Sequence, residues 1–386
     1  MLSTLIQFIR DHYSTEAFIP LHAPVFRGNE KAYVAETIDS TFVSSVGRFV
    51  DRFEHDIAIY TDSQQAVATV NGTAALHIAL KLAGVEQGDY VITQPLTFVA
   101  TCNAITYCGA TPIFVDVDLN TLGLSPSALA SWLEEHAYRD DQGQCRHRKG
   151  HAAIRACVPM HTFGHPVDLD GIVSVCQRWG ISLVEDAAES LGSFYRGQHT
   201  GTFGLLGALS FNGNKLMTTG GGGMILAGKE LAQHAKYLTT TAKRPHTYEY
   251  VHDELGYNYR LPNLNAALGC AQLEQVEVFI TEKRQLAAAY AACLRGSEFQ
   301  FVTEPEGCRS NYWLNAVICE NKQQRDELLN VTNGQGVMTR PIWQLMNRLP
   351  MFTNAPAGDL SCALWLEARV VNLPSSIKAA EVETHA

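Results

Sequence analysis

One lysine, Lys215, stands in "SFNGNKLMTTGGGGMIL" (residues 210–226) among small polar residues, with four consecutive glycines, Gly220–Gly223, shortly after it. A partly desolvated lysine at the end of a strand can lose its proton and become an amine nucleophile for a carbonyl. Upstream, "VEDAAES" sets Glu185 and Asp186 at the end of a hydrophobic strand. Neighbours on a strand point to opposite faces, so at most one of them faces a given site. An acid there suits a ribose, a metal or a protonated ring nitrogen, and equally a structural carboxylate capping the next turn. Asn71-Gly72-Thr73 opens a helix. Free N–H groups, the positive end of the helix dipole and a hydroxyl make an anion site there, although the same residues also serve as a plain cap. The glycines form no nucleotide phosphate loop, since neither G-x-x-x-x-G-K-[ST] nor G-x-G-x-x-G occurs.

The combination is more specific than its parts. An anion-binding helix start, an acid at one strand end and a lysine on the next but one strand are what pyridoxal phosphate requires. The helix takes the phosphate, the acid keeps the pyridine nitrogen protonated, and the lysine condenses with the aldehyde. The glycines, on this reading, let backbone pass close beside the lysine.

Alternating elements must carry these groups. "NGTAALHIALKLAG" places Ala75, Leu76, Ala79, Leu80 and Ala83 on one helical face and stops at Gly84. "YVITQ", "TPIFVDVD", "ISLVEDAAE", "GALSFN" and "GGMIL" read as strands, with helices "FVATCNAITYCG" and "LDGIVSVCQRWG" between them. Such a rhythm predicts a largely parallel sheet covered on both faces, with ligands at the carboxyl ends of its strands. From Pro262 the pattern turns helical, in "PNLNAALGCAQLEQVEVFI" and "EKRQLAAAYAACL". "YWLNAVICE", "KQQRDELLNVT" and "VMTRPI" then predict strand, helix and strand of a smaller unit. The expected division is a large domain over 20–280 and a small α+β domain over 281–386. Residues 1–19 hold a surface helix, and the tail "KAAEVETHA" is expected to fray.

The 386 residues are 46% hydrophobic and 18% charged, an ordinary soluble globular composition. A net charge of −10 argues against non-specific nucleic-acid binding but leaves room for a small anion read by a local field. No apolar run reaches membrane-spanning length and no signal-peptide pattern opens the chain, so a cytoplasmic protein is expected. Ten cysteines without a C-x-x-C pair fit the thiols of a reducing compartment. Cys145, His147, His151 and Cys157 match no ordinary zinc spacing. Their segment, "YRDDQGQCRHRKGH", reads as a charged surface loop, so no metal is expected.

"NGTAALHIAL", "QPLTFVATCNAI", "GATPIFVDVD", "VEDAAESLGS", "SFNGNKLMTTGGGG" and "GYNYRLPNLNAALG" together resemble the DegT/DnrJ/StrS-type sugar aminotransferases over nearly the whole chain. The resemblance implies the aspartate-aminotransferase (type I) fold. It makes Lys215 the Schiff-base lysine and proton shuttle, and Asp186 the partner of the pyridine nitrogen. Gly72, Thr73 and Ser210 become phosphate ligands, and Phe98 the aromatic residue against the cofactor ring. Asn258 matches an asparagine lent across a subunit interface to the phosphate, which implies a homodimer with shared active sites. Glu189 stands near the cofactor's phenolic oxygen, where many relatives carry Gln or His; a charged carboxylate there would repel an anionic oxygen.

"RPIWQLMNRLPMF" and "TTTAKRPHTYEYVHDELGYNYR" further resemble the LegC-like subgroup, which acts on UDP-linked 4-keto-2-acetamido sugars in nonulosonic acid biosynthesis. Lys243, Arg244, Arg260, Arg340 and Trp343 are the candidates for a sugar-nucleotide site, since uracil stacks on aromatic faces and diphosphates take guanidinium forks. Each of the five also reads as a rim ion pair or a core residue. Three rivals stand beside glutamate-dependent amino transfer. A sugar dehydratase of the same fold has His at the lysine position, which Lys215 argues against. A non-catalytic regulatory protein would not need the intact set. An amino-acid aminotransferase needs a carboxylate-binding arginine that the sequence does not single out.

Overall fold

The computed structural model describes residues 1–378, so all but the first residue of the tail expected to fray lies outside the described residues. Seven strands form the central sheet: β1 (Gln65–Thr69), β2 (Tyr90–Thr93), β3 (Thr111–Phe114), β4 (Ile154–Val158), β5 (Ser182–Asp186), β6 (Leu206–Ser210) and β7 (Gly223–Ala227). Their order is β1-β7-β6-β5-β4-β2-β3. β2 pairs in parallel with β3 and β4, β4 with β5, and β5 with β6. β7 runs antiparallel to both β1 and β6. Six strands therefore open their carboxyl ends on one edge, as the α/β rhythm predicts, with one reversed strand among them.

Both sheet faces are covered, which is why the strands read as continuous apolar runs rather than alternating ones. Val91, Ala156, Val158 and Val184 join the helices Gly72–Leu82 and Lys229–Thr239 in one core. Their chain neighbours Ile92, Cys157 and Leu183 point to the other face, against the helices Pro126–His136 and Leu169–Trp179.

β1 and β4 do not stand out in the sequence, and Arg155 interrupts the apolar run of β4. The stretch read as a charged loop is instead a short hairpin, Ala137–Arg139 against Cys145–His147. Cys145 and His147 alternate inward, and Trp132 and Tyr90 pack against His147. "PNLNAALGCAQLEQVEVFI" is likewise two helices, Asn263–Leu273 and Val276–Cys293, not one. Tertiary partners hold the break: Glu274 accepts from Asn29, Tyr33 and Arg52, and Gln272 donates to Glu30.

A second sheet, antiparallel throughout, contains β8 (Gln300–Phe301), β9 (Asn315–Ile318), β10 (Arg340–Pro341) and β11 (Val370–Leu373), in the order β8-β9-β11-β10. Leu5, Ile6 and Ile9 of the helix Leu2–Tyr13 are buried in the same core as Leu286, Tyr290, Val317 and Leu328. The first helix thus packs with the carboxyl-terminal strands. The fully buried Lys283 donates to the carbonyl oxygens of Trp313 (3.0 Å) and Ser375 (2.6 Å). It fixes the long helix Val276–Cys293 to the loop that carries Trp313 toward the large sheet.

Candidate active site

The carboxyl ends of β4, β5 and β6 border a cavity of about 640 Å³. Of the residues singled out from the sequence, Gly72, Thr73, Phe98, Asp186, Glu189, Ser210, Lys215, Arg340 and Trp343 all line it. β5 and β6 are hydrogen-bonded neighbours, with Asp186 paired to Ala208. The lysine therefore follows the strand immediately beside the acid, not the next but one.

Asp186, 2% exposed, accepts hydrogen bonds from Thr101 Oγ1 (2.6 Å) and from the Ala188 N–H (3.1 Å). Burial pushes its carboxyl up, opposed by these two bonds and by the charge of Lys215. Glu185 points away from the cavity. It accepts from the N–H groups of Gly201 (2.7 Å), Phe203 (2.6 Å) and Gly204 (2.8 Å) and lies 3.1 Å from His161 Nε2. His161 Nδ1 accepts from the Val167 N–H, so its proton is on Nε2 and is given to Glu185. Glu185 anchors a loop, which leaves Asp186 as the acid facing the cavity.

Asn71 caps the helix Gly72–Leu82 by accepting from the Ala74 N–H (2.8 Å). The first N–H groups, those of Gly72 and Thr73, have no acceptor within the helix. Close packing is what the glycines serve here: a Cβ on Gly72 would lie 2.8 Å from Ser210 Cβ, and one on Gly223 only 2.5 Å from the Asn71 oxygen. Gly223 thus lets β7 approach the helix start, not the lysine; that corrects the expected neighbour.

Lys215 Nζ lies 3.3 Å from Glu189 Oε1 and 3.9 Å from the ring centre of Trp313. Glu189 is 3% exposed, its other oxygen accepts from the Phe163 N–H (2.9 Å), and burial pushes its carboxyl up. Trp313 is fixed in turn by donating from Nε1 to the Asn214 oxygen (2.7 Å). Sequence reasoning missed Trp313 and Thr101, because an aromatic residue before a strand and a threonine inside a helix carry no signal of their own. Phe98, at 51% exposure, stands open to the cavity, and Trp343 packs on Phe163 with ring centres 5.1 Å apart.

Lys243, Arg244, Arg260 and Asn258 do not line this cavity. Lys243 and Arg244 lie on an exposed hairpin, where Arg244 pairs with Asp253 and Lys243 sits 4.2 Å from the Tyr250 ring centre. Arg260 donates to Ser45 Oγ (3.2 Å), and Asn258 is exposed beside Thr240.

Two buried carboxylates, one lysine and a helix start with unpaired N–H groups around one cavity fit a ligand with an anionic end, a cationic ring and a carbonyl. Together with the sheet order, they define a pyridoxal-phosphate-dependent enzyme of the aspartate-aminotransferase fold. The model of the DegT/DnrJ/EryC1/StrS aminotransferase family matches residues 24–384, and the chain belongs to that family. It is 36% identical over 364 residues to the GDP-perosamine synthase of Escherichia coli O157:H7, covering 93% of each chain. It is 33% identical over 360 residues to the GDP-perosamine synthase of Vibrio cholerae, covering 92% of this chain and 94% of the other. Among solved structures, the aminotransferase TlmJ of Streptoalloteichus hindustanus superimposes with a TM-score of 0.84 at 27% identity, over 93% of this chain and 94% of that one. The protein is a pyridoxal-phosphate-dependent sugar aminotransferase. No helix among the described residues is long and apolar enough to cross a membrane.

Proposed function

We propose that the enzyme moves an amino group from glutamate to a nucleotide-linked 4-keto sugar, specifically a UDP-4-keto-6-deoxy-N-acetylhexosamine, for a legionaminic-type acid or another bacterial surface glycan. The observation that carries this is Lys215 beside the buried Asp186 on one cavity, with the free helix start of Gly72 and Thr73 at its other wall. Pyridoxal phosphate supplies an electron-withdrawing ring and a reactive aldehyde. Gly72, Thr73 and Ser210 would hold its phosphate, Phe98 would lie against its ring, and Asp186 would hold the proton on its ring nitrogen. Glu189 stands beside its phenolic oxygen. Lys215 would hold the aldehyde and, as a free amine, would take and return the proton of the substrate carbon. Arg340 and Trp343, on the opposite wall, receive the sugar nucleotide.

A homodimer completes the site. The partner subunit's Asn258 reaches the phosphate, and Lys243, Arg244 and Arg260 meet substrate only across that interface. The exposure of Asn258, Lys243 and Arg244, and that of Tyr248, Tyr250 and Leu255 on the same excursion, supports this reading. The ten free thiols support a cytoplasmic location. A GDP-linked keto sugar is the second reading, favoured by the relatives named for GDP-perosamine.

The test loads the protein with pyridoxamine phosphate and offers a panel of UDP-, GDP- and dTDP-linked 4-keto sugars. Recovery of the visible absorbance with the UDP-linked N-acetyl sugar is expected, and recovery only with a GDP sugar selects the second reading. Borohydride should fix the cofactor covalently on Lys215, and a label on another lysine overturns the assignment. Lys215→Ala should bind cofactor and lose turnover, by about a hundredfold or more, for want of a group to move the proton.

A further inference from the structure

Glu189 does not fit the part of a simple hydrogen-bond partner, because a buried carboxylate that faces only one amine has a more specific chemistry. Its two oxygens are unequal. Oε2 is committed as acceptor to the Phe163 N–H, at 2.9 Å, and that N–H is aimed by a turn in which Phe163 takes a φ of 58°. Oε1 is left facing Lys215 Nζ at 3.3 Å. A proton on Glu189 can therefore sit only on Oε1, the oxygen nearest the amine. Asp186 differs, since both its oxygens accept from fixed protein donors.

We propose that Glu189 and Lys215 work as a pair sharing one proton, in which Glu189 Oε1 takes the proton from the lysine ammonium and hands it back. The transfer breaks one N–H bond and forms one O–H bond. An ion pair becomes a neutral acid and a free amine whose lone pair can attack a carbonyl. No other reactant is needed.

The surroundings act on both forms. Burial disfavours the charge on Glu189, and the carboxylate of Asp186 disfavours a second anion beside it. The Trp313 face under Nζ favours the cation instead. The other charged or titratable groups nearby are cationic or neutral. Lys283 is held by two carbonyls behind Trp313, and Arg340 stands on the cavity wall. His161 is engaged with Glu185. His22 is partly exposed, but its two ring nitrogens are shielded from solvent, and burial with the Lys283 and Lys215 charges holds the imidazole well below its ordinary value.

This inference rests on Lys215 being the reactive amine of the proposed function, so its test does not use the sugar. The full chain, freed of cofactor, is treated with trinitrobenzenesulfonate, and the labelled Lys215 peptide is quantified across pH. Within a one-proton pair the fraction of free amine does not change with pH, so the wild-type rate should be flat between about pH 6 and 8. Glu189→Gln keeps an acceptor for Phe163 but cannot take the proton, so its Lys215 rate should climb about tenfold per pH unit there. The exposed Lys229 serves as the internal reference for reagent. Glu189→His restores a proton acceptor and should restore a flat response; it also carries the test should the glutamine variant fail to fold. A flat response in Glu189→Gln, or a steep one in the wild type, overturns the pair and leaves Glu189 an anchor for the Phe163 turn. Failure of the sugar panel alone leaves these rates unchanged, so the two readings fall separately.

Discussion

The carboxyl edge of β4–β6 and the excursion of residues 240–260 were equally rich in candidate residues, yet the molecule treats them differently. At the sheet edge, the strand ladder places Asp186 and Ser210 on one cavity, and the turn that follows Ser210 brings Lys215 to it. In the excursion, Lys243, Arg244 and Asn258 remain on the surface, and Tyr248 and Tyr250 are each 81% exposed. A residue on a buried strand is placed by its own chain. One on an exposed hairpin is placed by whatever packs against it. The first region is assembled within one chain, and in the proposed homodimer the second is completed by a partner.

The largest effect should separate the two neighbouring acids of the first region. Asp186→Asn should lower turnover by about 10²–10³-fold while leaving cofactor bound, because an amide cannot hold the ring proton. Glu185→Gln should keep turnover and lose about 1–3 kcal/mol of stability, since its oxygens hold backbone N–H groups of the 201–204 loop. Steady-state kinetics and urea unfolding on both variants decide it. The opposite pattern would move the role to Glu185 and break the claim that the ladder sets the site.

Next in size is the clamp behind Trp313. Burial pushes the Lys283 ammonium down from its ordinary 10.5 to about 7. Between these values the unfolded chain binds more protons than the folded one, so stability should rise with pH from about 7 to 10.5, by a few kcal/mol at most. Below about 7 both states are protonated, and this lysine contributes no slope. Lys283→Met should abolish the rise and cost about 1–3 kcal/mol for the carbonyls left unpaired. Urea midpoints across this pH range test it, and an unchanged rise in the variant would assign the slope to another group.

The smallest effect tests the second region. Asn258→Ala should weaken cofactor affinity by about 1.5–3 kcal/mol, the range for a hydrogen bond to a charged group. Mixing it with Lys215→Ala subunits puts both lesions in one site and neither in the other, so activity should return. No return, with subunit exchange demonstrated, would place Asn258 in its own subunit's site and erase the contrast between the regions.

Residue type and local order were enough to bring out the α/β rhythm and to single out the lysine, the acid and the helix start that line one cavity, because each rests on chemistry confined to a few neighbouring residues. Even the choice between Glu185 and Asp186 was half made, since strand alternation sends them to opposite faces. The tertiary structure decided which face holds the cavity, through the 201–204 loop that claims Glu185. It broke one apparent helix at Glu274 and slid Gly223 against Asn71 rather than Lys215. It also brought Trp313, from a loop distant in the chain, to lie under the amine. Such contacts join segments distant in the chain, and their geometry is set by packing, which no local pattern records.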